Sequence, residues 1–137
     1  MPSMSPLASS VRRPSSSVLP NLCTLSVNNV GQSYEMPAPF AELEFERVKS
    51  LIALNVNAAA EMSHWAIPKM LARRGGLILN VSSGSAIVPA PLLALYSGTK
   101  AFLDTFSVAL AHEYVPSLDV VIVANPIDQI QAQGHSR

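Results

Sequence analysis

Three residues in the middle of the chain have the types and the spacing of a proton-transfer site. Tyr96 and Lys100 lie four residues apart near the start of a helical stretch, so both project from one helix face. An ammonium beside a phenol lowers the tyrosine pKa, which brings a general acid or base nearer to neutral pH. Ser83 lies 13 residues before Tyr96, where its hydroxyl could polarise a carbonyl. Taken singly, each feature also has a non-catalytic interpretation. Tyr96 and Lys100 can lie on a solvated helix face, and Ser83 can cap a helix or a turn.

Asn55 is a fourth candidate, because it falls on the apolar side of its own helix between Ile52 and Ala59. A buried amide needs hydrogen-bond partners. In one interpretation it bridges backbone groups or holds a water that links to Lys100. In the other it is a purely structural buried asparagine.

Short apolar runs alternate with long helical stretches and have to position these candidates. Strands are predicted at Leu22–Val27, Leu77–Val81 and Val120–Ala124, and helices at residues 42–72 and Leu95–Tyr114. This order is typical of an α/β fold with a parallel sheet and covering helices.

Polar clusters follow each predicted strand, at Asn28–Gly31, Ser82–Ser85 and Asn125-Pro126. Ligands bind beyond the carboxyl ends of such strands. The three clusters are therefore expected along one edge of the sheet. In the first helix, residues three or four apart predict one buried face, made of Phe45, Val48, Ile52, Ala59, Met62 and Ala66.

Composition excludes several classes of function. The 137 residues allow one domain, and the formal net charge of zero leaves no basic stripe for nucleic acid. No apolar run is long enough for a membrane span, so the sequence alone predicts a soluble cytoplasmic chain. Cys23 is the single cysteine, which fits a reducing compartment. The spacing of His64, His112 and His135 predicts no metal site.

The two ends of the chain differ from its middle. Residues 1–21 are rich in serine and proline and lack acidic residues, which predicts a disordered segment. A targeting segment is the alternative. The tail at 127–137 is polar and is predicted to be unstructured.

Four motifs in order resemble the short-chain dehydrogenase/reductase family. Asn28-Asn29-Val30-Gly31 looks like the family's Asn-Asn-Ala-Gly motif, and Asn55, Ser83, Tyr96 and Lys100 follow at separations of 28, 13 and 4 residues. The resemblance covers residues 22–126. Within the family, the sequence is similar to the 17-beta-hydroxysteroid dehydrogenases and very-long-chain 3-oxoacyl-CoA reductases. Features of that branch are Val30, the stretches Gly76–Gly84 and Tyr96–Phe102, and the Pro89-x-Pro91 loop.

The resemblance implies a partial Rossmann-like domain at 22–126 and an enzyme that interconverts a ketone and a secondary alcohol with NADP(H), NAD(H) not being excluded. Tyr96 would protonate the carbonyl oxygen, and Lys100 would lower the tyrosine pKa and bind the nicotinamide ribose. Ser83 would orient the carbonyl, and Asn55 would support a proton relay. The implied cofactor-lining residues are Asn28, Val30, Gly31, Tyr96, Lys100 and Pro126.

The resemblance also implies partners and a location. The substrate would be a lipid-like carbonyl compound, of the steroid or 3-oxoacyl-CoA type. The two long helices would be candidates for a homodimer interface. Enzymes of this branch sit at the endoplasmic reticulum membrane.

The sequence departs from the family pattern at both ends. No glycine precedes Gly31, so the glycine-rich turn that approaches a pyrophosphate is missing. Pro126 is followed by Ile127 and Asp128 instead of the family's threonine-containing segment. A truncated domain with exposed apolar surface, a tendency to aggregate and weak cofactor binding is therefore expected. The alternative function is a catalytically inactive fragment that associates through its helices at most. An unrelated small parallel-sheet domain is the third interpretation.

Overall fold

A computed structural model describes residues 25–88 and 90–125 of the chain and contains a three-stranded parallel sheet. The strands are β1 (Leu25–Asn28), β2 (Leu77–Ser83) and β3 (Asp119–Asn125), in the order β1-β2-β3. Both neighbouring pairs run parallel, because a helical segment connects each strand to the next. The predicted α/β class and parallel sheet are confirmed.

Three α-helices connect the strands, namely α1 (Phe45–Ile52), α2 (Ala58–Ala72) and α3 (Ala94–Tyr114). A wide π-helical turn at Ala53–Asn57 joins α1 to α2, so the long helix predicted at 42–72 is two helices with an irregularity between them. The second predicted helix agrees with α3 to within one residue. Short 3₁₀ turns lie at Phe40–Glu42 and Gly84–Ala86.

The predicted buried face of the first helical segment is wrong before the π turn. Phe45 is 72% exposed and Ile52 is 39% exposed, whereas Leu51 is fully buried. A π turn adds a residue to the helical repeat and so rotates the helix before it relative to the helix after it. Beyond the turn, Ala59 and Ala66 are buried as predicted.

The hydrophobic core lies between the sheet and the helices, near the amino ends of the strands. Met70 and Ile78 are fully buried within it. A side chain at Gly76 would come within 2.5 Å of Met70, so this glycine permits the close approach of α2 to β2. The buried cluster consists of Ala66, Ile67, Met70, Ile78, Leu110 and Leu118.

The two faces of the sheet differ in chemistry. On the covered face, defined here as the side packed against α2 and α3, Asn28, Asn80 and Ser82 are buried along with Ile78. On the open face, defined by Val27, Val121 and Val123, these valines are 49%, 42% and 43% exposed. The more polar face is thus the one that the helices bury.

Several predictions fall on residues outside the described ranges. They include the start of the first strand at Leu22, the segment at 1–21, the tail at 127–137, and the position of Pro126. None of the helices in the described part of the chain combines the length and the apolar character that a bilayer crossing requires.

Candidate active site

Tyr96 and Ser83 come together at the carboxyl end of β2. Tyr96 lies in the first turn of α3 and is 8% exposed, and Ser83, the last residue of β2, is 1% exposed. Burial raises the pKa of the Tyr96 phenol above its ordinary value of 10.0, and the nearby Ser83 side chain acts in the opposite direction. The expected lowering is therefore not found, because desolvation outweighs the other contributions.

Ser83 also has a structural role. Its hydroxyl oxygen accepts from the Ser85 backbone N–H at 3.3 Å and from the Ser85 hydroxyl at 3.1 Å. It thereby caps the short turn at Gly84–Ala86. The capping and substrate-orienting interpretations are thus compatible, since the capping bonds fix where the hydroxyl lies.

Lys100 is held between α3 and β2. Its Nζ atom donates to the Val81 carbonyl at 2.9 Å and lies 5.8 Å from the Tyr96 ring centroid. The Ser82 hydroxyl donates to the Lys100 carbonyl at 3.2 Å. Burial lowers the Lys100 pKa below its ordinary 10.5, and the negative charge of Asp104 partly opposes this. The cation is therefore placed next to the phenol by two bonds to one strand.

Asn55 bridges backbone groups, as one interpretation of the sequence predicted. It is fully buried in the π turn. Its amide oxygen accepts from the Gln32 N–H at 2.8 Å, and its amide nitrogen donates to the Gln32 carbonyl at 2.8 Å. The same nitrogen donates to the Thr99 hydroxyl at 3.0 Å, which in turn donates to the Tyr96 carbonyl at 2.7 Å. Asn55 thus connects the loop after β1 to the turn of α3 that carries Tyr96.

The residues of the motif at Asn28–Gly31 lie in two places, some at the covered face of the sheet and some at the site. Asn28 is in the strand, and its amide donates to Asn80 at 2.7 Å and to Ser63 at 3.2 Å. Its predicted place beside a cofactor stays a prediction. Val30 is 54% exposed. At Gly31, a Cβ would lie 3.1 Å from the Lys100 Nζ atom, so the absence of a side chain keeps this ammonium open on one side.

A buried polar network under the site was missed in the sequence. Asn80 accepts from Asn28 and donates to the Ser107 hydroxyl, which donates to the Leu103 carbonyl at 2.6 Å. With Ser63 it connects both long helices to β1 and β2. The available signal was an amide, Asn80, in the middle of an apolar strand.

The remaining predictions for site residues are not tested by these contacts. Pro126 lies outside the described residues, as does the placement of the Asn125 side chain. Across residues 25–88 and 90–125, no three His, Cys, Asp or Glu side chains are grouped as metal ligands.

The chain is similar in sequence to a known family and to curated proteins of one name. The profile of the family described as short chain dehydrogenase matches residues 17–129. A very-long-chain 3-oxoacyl-CoA reductase of Laccaria bicolor is 51% identical over 87 residues, which are 64% of this chain and 26% of that protein. The enzyme of the same name from Mus musculus is 42% identical over 113 residues, covering 77% of this chain and 36% of that protein.

A solved structure shows the same fold. The 3-ketoacyl-(acyl-carrier-protein) reductase from Brucella melitensis, complexed with NADH, superposes with a TM-score of 0.72 at 30% identity. The match covers 75% of this chain and 44% of that chain. The family and the branch to which the sequence was predicted to be similar are confirmed, and the chain spans about a quarter to a third of the length of the two curated relatives.

Proposed function

This chain belongs to the short chain dehydrogenase family, and we propose that it carries the catalytic part of an NADP(H)-dependent oxidoreductase. The reaction is the interconversion of a ketone and a secondary alcohol, with a 3-oxoacyl-CoA as the favoured substrate class. Support for this substrate comes from the names of the two similar reductases.

The observation that carries the proposal is the convergence of Tyr96, Lys100 and Ser83. All three are more than nine-tenths buried, at 8%, 6% and 1% exposure. They meet at the carboxyl end of β2, where ligands of parallel sheets bind. A phenol, an ammonium and a hydroxyl buried together form a proton-transfer group, because each can hold or release a proton at an oxygen of a bound carbonyl.

The residues present fit the ribose and nicotinamide part of the cofactor. Gly31 has no side chain to cover the Lys100 ammonium, since a Cβ there would approach Nζ to 3.1 Å. Lys100 would bind the ribose hydroxyls, and Tyr96 would lie beside the nicotinamide. When bound, the cofactor supplies the hydride, which no side chain of the site can provide. NADP(H) is preferred over NAD(H) on the family resemblance alone.

Tyr96 begins the reduction with its phenol protonated, since an ordinary phenol is protonated at neutral pH and burial raises the pKa of this one further. The phenol gives that proton to the carbonyl oxygen as the carbonyl carbon accepts a hydride, and an alcohol forms. The Ser83 hydroxyl donates to the same oxygen and holds it near the phenol. Lys100 stabilises the phenolate that remains, since its ammonium is held by Val81 beside the ring.

An apolar cleft beside the serines supports a lipid-like substrate. The cleft has a volume of about 470 Å³, within the range of small-molecule sites. It reaches Ser85, which is bonded to Ser83, so an acyl chain lying there would have its carbonyl close to the site. Small side chains line the cleft, namely Ser85, Ala86, Ala90, Pro91, Ala94, Ser97, Gly98 and Ala101.

Two further parts of the proposal concern assembly and location. We propose a homodimer through the two long helices, in keeping with the family resemblance and with an exposed stripe on α3 that includes Thr105, Val108 and Ala109. The mass of the chain by light scattering, with Val108→Glu as the disrupting variant, tests it. From the same resemblance we propose that the enzyme acts at the endoplasmic reticulum membrane.

The test is NADPH oxidation by the purified chain with a medium-chain 3-oxoacyl-CoA. Tyr96→Phe should reduce turnover by about 100-fold or more, because the acid is lost. Tyr114→Phe is the matched control, since it removes the same atom at the far end of α3, and it should retain turnover. No turnover by the unaltered chain would favour the inactive fragment, and equal turnover by Tyr96→Phe would exclude Tyr96 as the acid.

A further inference from the structure

We propose that Tyr34 is a positioning residue for Tyr96, acting through the first turn of α3. The Tyr34 hydroxyl oxygen accepts from the Leu95 backbone N–H at 3.0 Å. The two residues are 61 positions apart in the chain, and Leu95 directly precedes Tyr96. The inference rests on the proposed function of Tyr96 as the acid.

The start of α3 has need of such a partner. Its N-cap residue, Leu93, makes no side-chain capping bond. The first N–H groups of a helix have no partner within the helix. Leucine has no acceptor atom, whereas preferred N-cap residues provide a side-chain oxygen. The Tyr34 hydroxyl supplies that oxygen from another part of the chain.

Tyr34 belongs to a segment that is fixed at both ends, residues 32–38. At one end, Asn55 binds the Gln32 backbone through two bonds of 2.8 Å. At the other end, the Ala38 N–H donates to the Leu92 carbonyl at 3.1 Å. Leu92 has a φ of 66°, which a non-glycine residue keeps only when its surroundings hold it there.

Charged contacts also hold this segment. Arg47 of α1 donates to the Gln32 side chain at 3.1 Å and to the Ser33 carbonyl at 2.9 Å. The backbone on the amino side of Tyr34 is therefore fixed from α1 and from the π turn. Because little of its path is left free, the position of its hydroxyl is determined by parts of the chain other than α3.

Tyr96 is consequently held from two sides. On its amino side, Tyr34 holds the N–H of Leu95. On its carboxyl side, the Thr99 hydroxyl donates to the Tyr96 carbonyl and accepts from Asn55. The first restraint comes from the segment after β1, and the second comes from Asn55 of the π turn, which also binds that segment at Gln32. Together they set where the phenol lies relative to Ser83 and Lys100. Small errors in such placement are costly for a reaction that depends on aligned groups.

The test compares Tyr34→Phe with Tyr114→Phe, which loses the same oxygen from a tyrosine packed against the core. Hydrogen exchange is measured first on the full chain. Tyr34→Phe should raise exchange in the first turn of α3 by about tenfold, because one hydrogen bond is lost there. The rest of α3 and β2 should exchange as before.

A spectroscopic readout separates positioning from a general loss of stability. With ring-labelled tyrosine, the Tyr96 carbon signal is identified by its absence in Tyr96→Phe. In Tyr34→Phe its titration midpoint should move down toward the ordinary 10.0, since a loosened turn exposes the phenol. In Tyr114→Phe it should not move. In a chain that turns over NADPH, Tyr34→Phe should lower kcat about tenfold and leave the KM for NADPH within about twofold.

Unchanged exchange in the first turn, an increase spread evenly over the chain, or an unmoved Tyr96 midpoint would each overturn the proposal. Failure of the proposed function gives a different pattern. In that case the unaltered chain shows no turnover, while the exchange and titration results still decide whether Tyr34 positions Tyr96.

Discussion

The covered and open faces of the same three strands differ in what they bury. On the covered face, Asn28, Asn80 and Ser82 are at most 7% exposed and are all hydrogen-bonded. On the open face, Val27 and Val123 are 49% and 43% exposed. Burial by itself favours the reverse arrangement, because a polar group gains nothing from leaving water unless it finds a partner.

The difference shows which face specifies the site. Apolar contacts are non-directional and tolerate small shifts between strands. A buried amide that loses its partner instead destabilises the folded state. The parallel register places Asn28 beside Asn80, three residues before Gly31 and Ser83 respectively. The asparagine pair therefore fixes how the two chain segments that surround Lys100 are aligned.

Asn80→Ala should have the largest effect. It removes the Asn80 partner of the Asn28 amide, whose bond to Ser63 remains, and it removes the donor of the Ser107 hydroxyl. Each buried group that loses a bond costs about 1–3 kcal/mol, so a loss of about 3 kcal/mol in unfolding free energy is expected. The midpoint of urea denaturation measures it.

Val121→Ala on the open face is the control for that experiment. Val121 is 42% exposed, so its truncation should cost less than about 1 kcal/mol. Equal losses for Asn80→Ala and Val121→Ala would show that the polar network adds nothing beyond ordinary packing.

The pH dependence of stability should come from the site on the covered face. Lys100 has a pKa below 10.5 in the folded chain, so the folded state loses its proton first and stability rises as the pH approaches 10.5. Tyr96 has a pKa above 10.0, so the unfolded state loses its proton first and stability falls above pH 10.0. Melting temperatures across this range should therefore pass through a maximum.

Two substitutions separate these contributions. Lys100→Met should remove the rise in melting temperature as the pH approaches 10.5. Tyr96→Phe should remove the fall in melting temperature above pH 10.0. A rise that persists in Lys100→Met, or a fall in Tyr96→Phe as steep as in the unaltered chain, would mean that other groups control stability here.

Gly31→Ala should have a smaller effect on folding and a larger one on ligand binding. The new Cβ would lie 3.1 Å from the Lys100 Nζ atom, so the flexible end of the lysine has to move. We expect several-fold weaker NADPH binding, with a stability change below about 1 kcal/mol. Gly75→Ala is the control, since nothing lies within 4 Å of its Cβ position. Equal affinities in a fluorescence titration of the two variants would contradict the cofactor placement.

Threonine at the three open-face valines should have the smallest effect on folding. Thr keeps the branched shape that suits a strand, so each change should alter stability by less than about 0.5 kcal/mol. The triple variant Val27→Thr, Val121→Thr and Val123→Thr should aggregate less, because exposed apolar area is reduced. Light scattering over time measures it. Aggregation at the original rate would mean that another surface is responsible.

Much of the fold was predictable because short apolar runs and long helices have different periodicities. The bounds of α3 were predicted to within one residue, and the parallel arrangement followed from the alternation of elements. The π turn at Ala53–Asn57 was not predicted, since the sequence periodicity does not indicate an extra residue in a helical turn. It displaced the expected buried face at Phe45 and Ile52.

The site was predictable to the extent that its residues are local in sequence. Tyr96 and Lys100 share a helix face, and the burial and bridging role of Asn55 agree with one interpretation of the sequence. The predicted direction of the Tyr96 pKa shift was wrong, because the degree of burial is a property of the tertiary structure. The bond from Leu95 to Tyr34 joins distant parts of the chain, and spacing alone gives no sign of it.

The most direct measurement is an NMR titration of the chain carrying ring-labelled tyrosine, with the Tyr96 signal assigned by Tyr96→Phe. The bonds from Asn55 to Thr99 and from Thr99 to the Tyr96 carbonyl hold the phenol buried beside Ser83 as a protonated acid. The Tyr96 midpoint should therefore lie above the ordinary 10.0 and should move toward that value in Asn55→Ala. A midpoint at 10.0 in the folded, unaltered chain would contradict the claim.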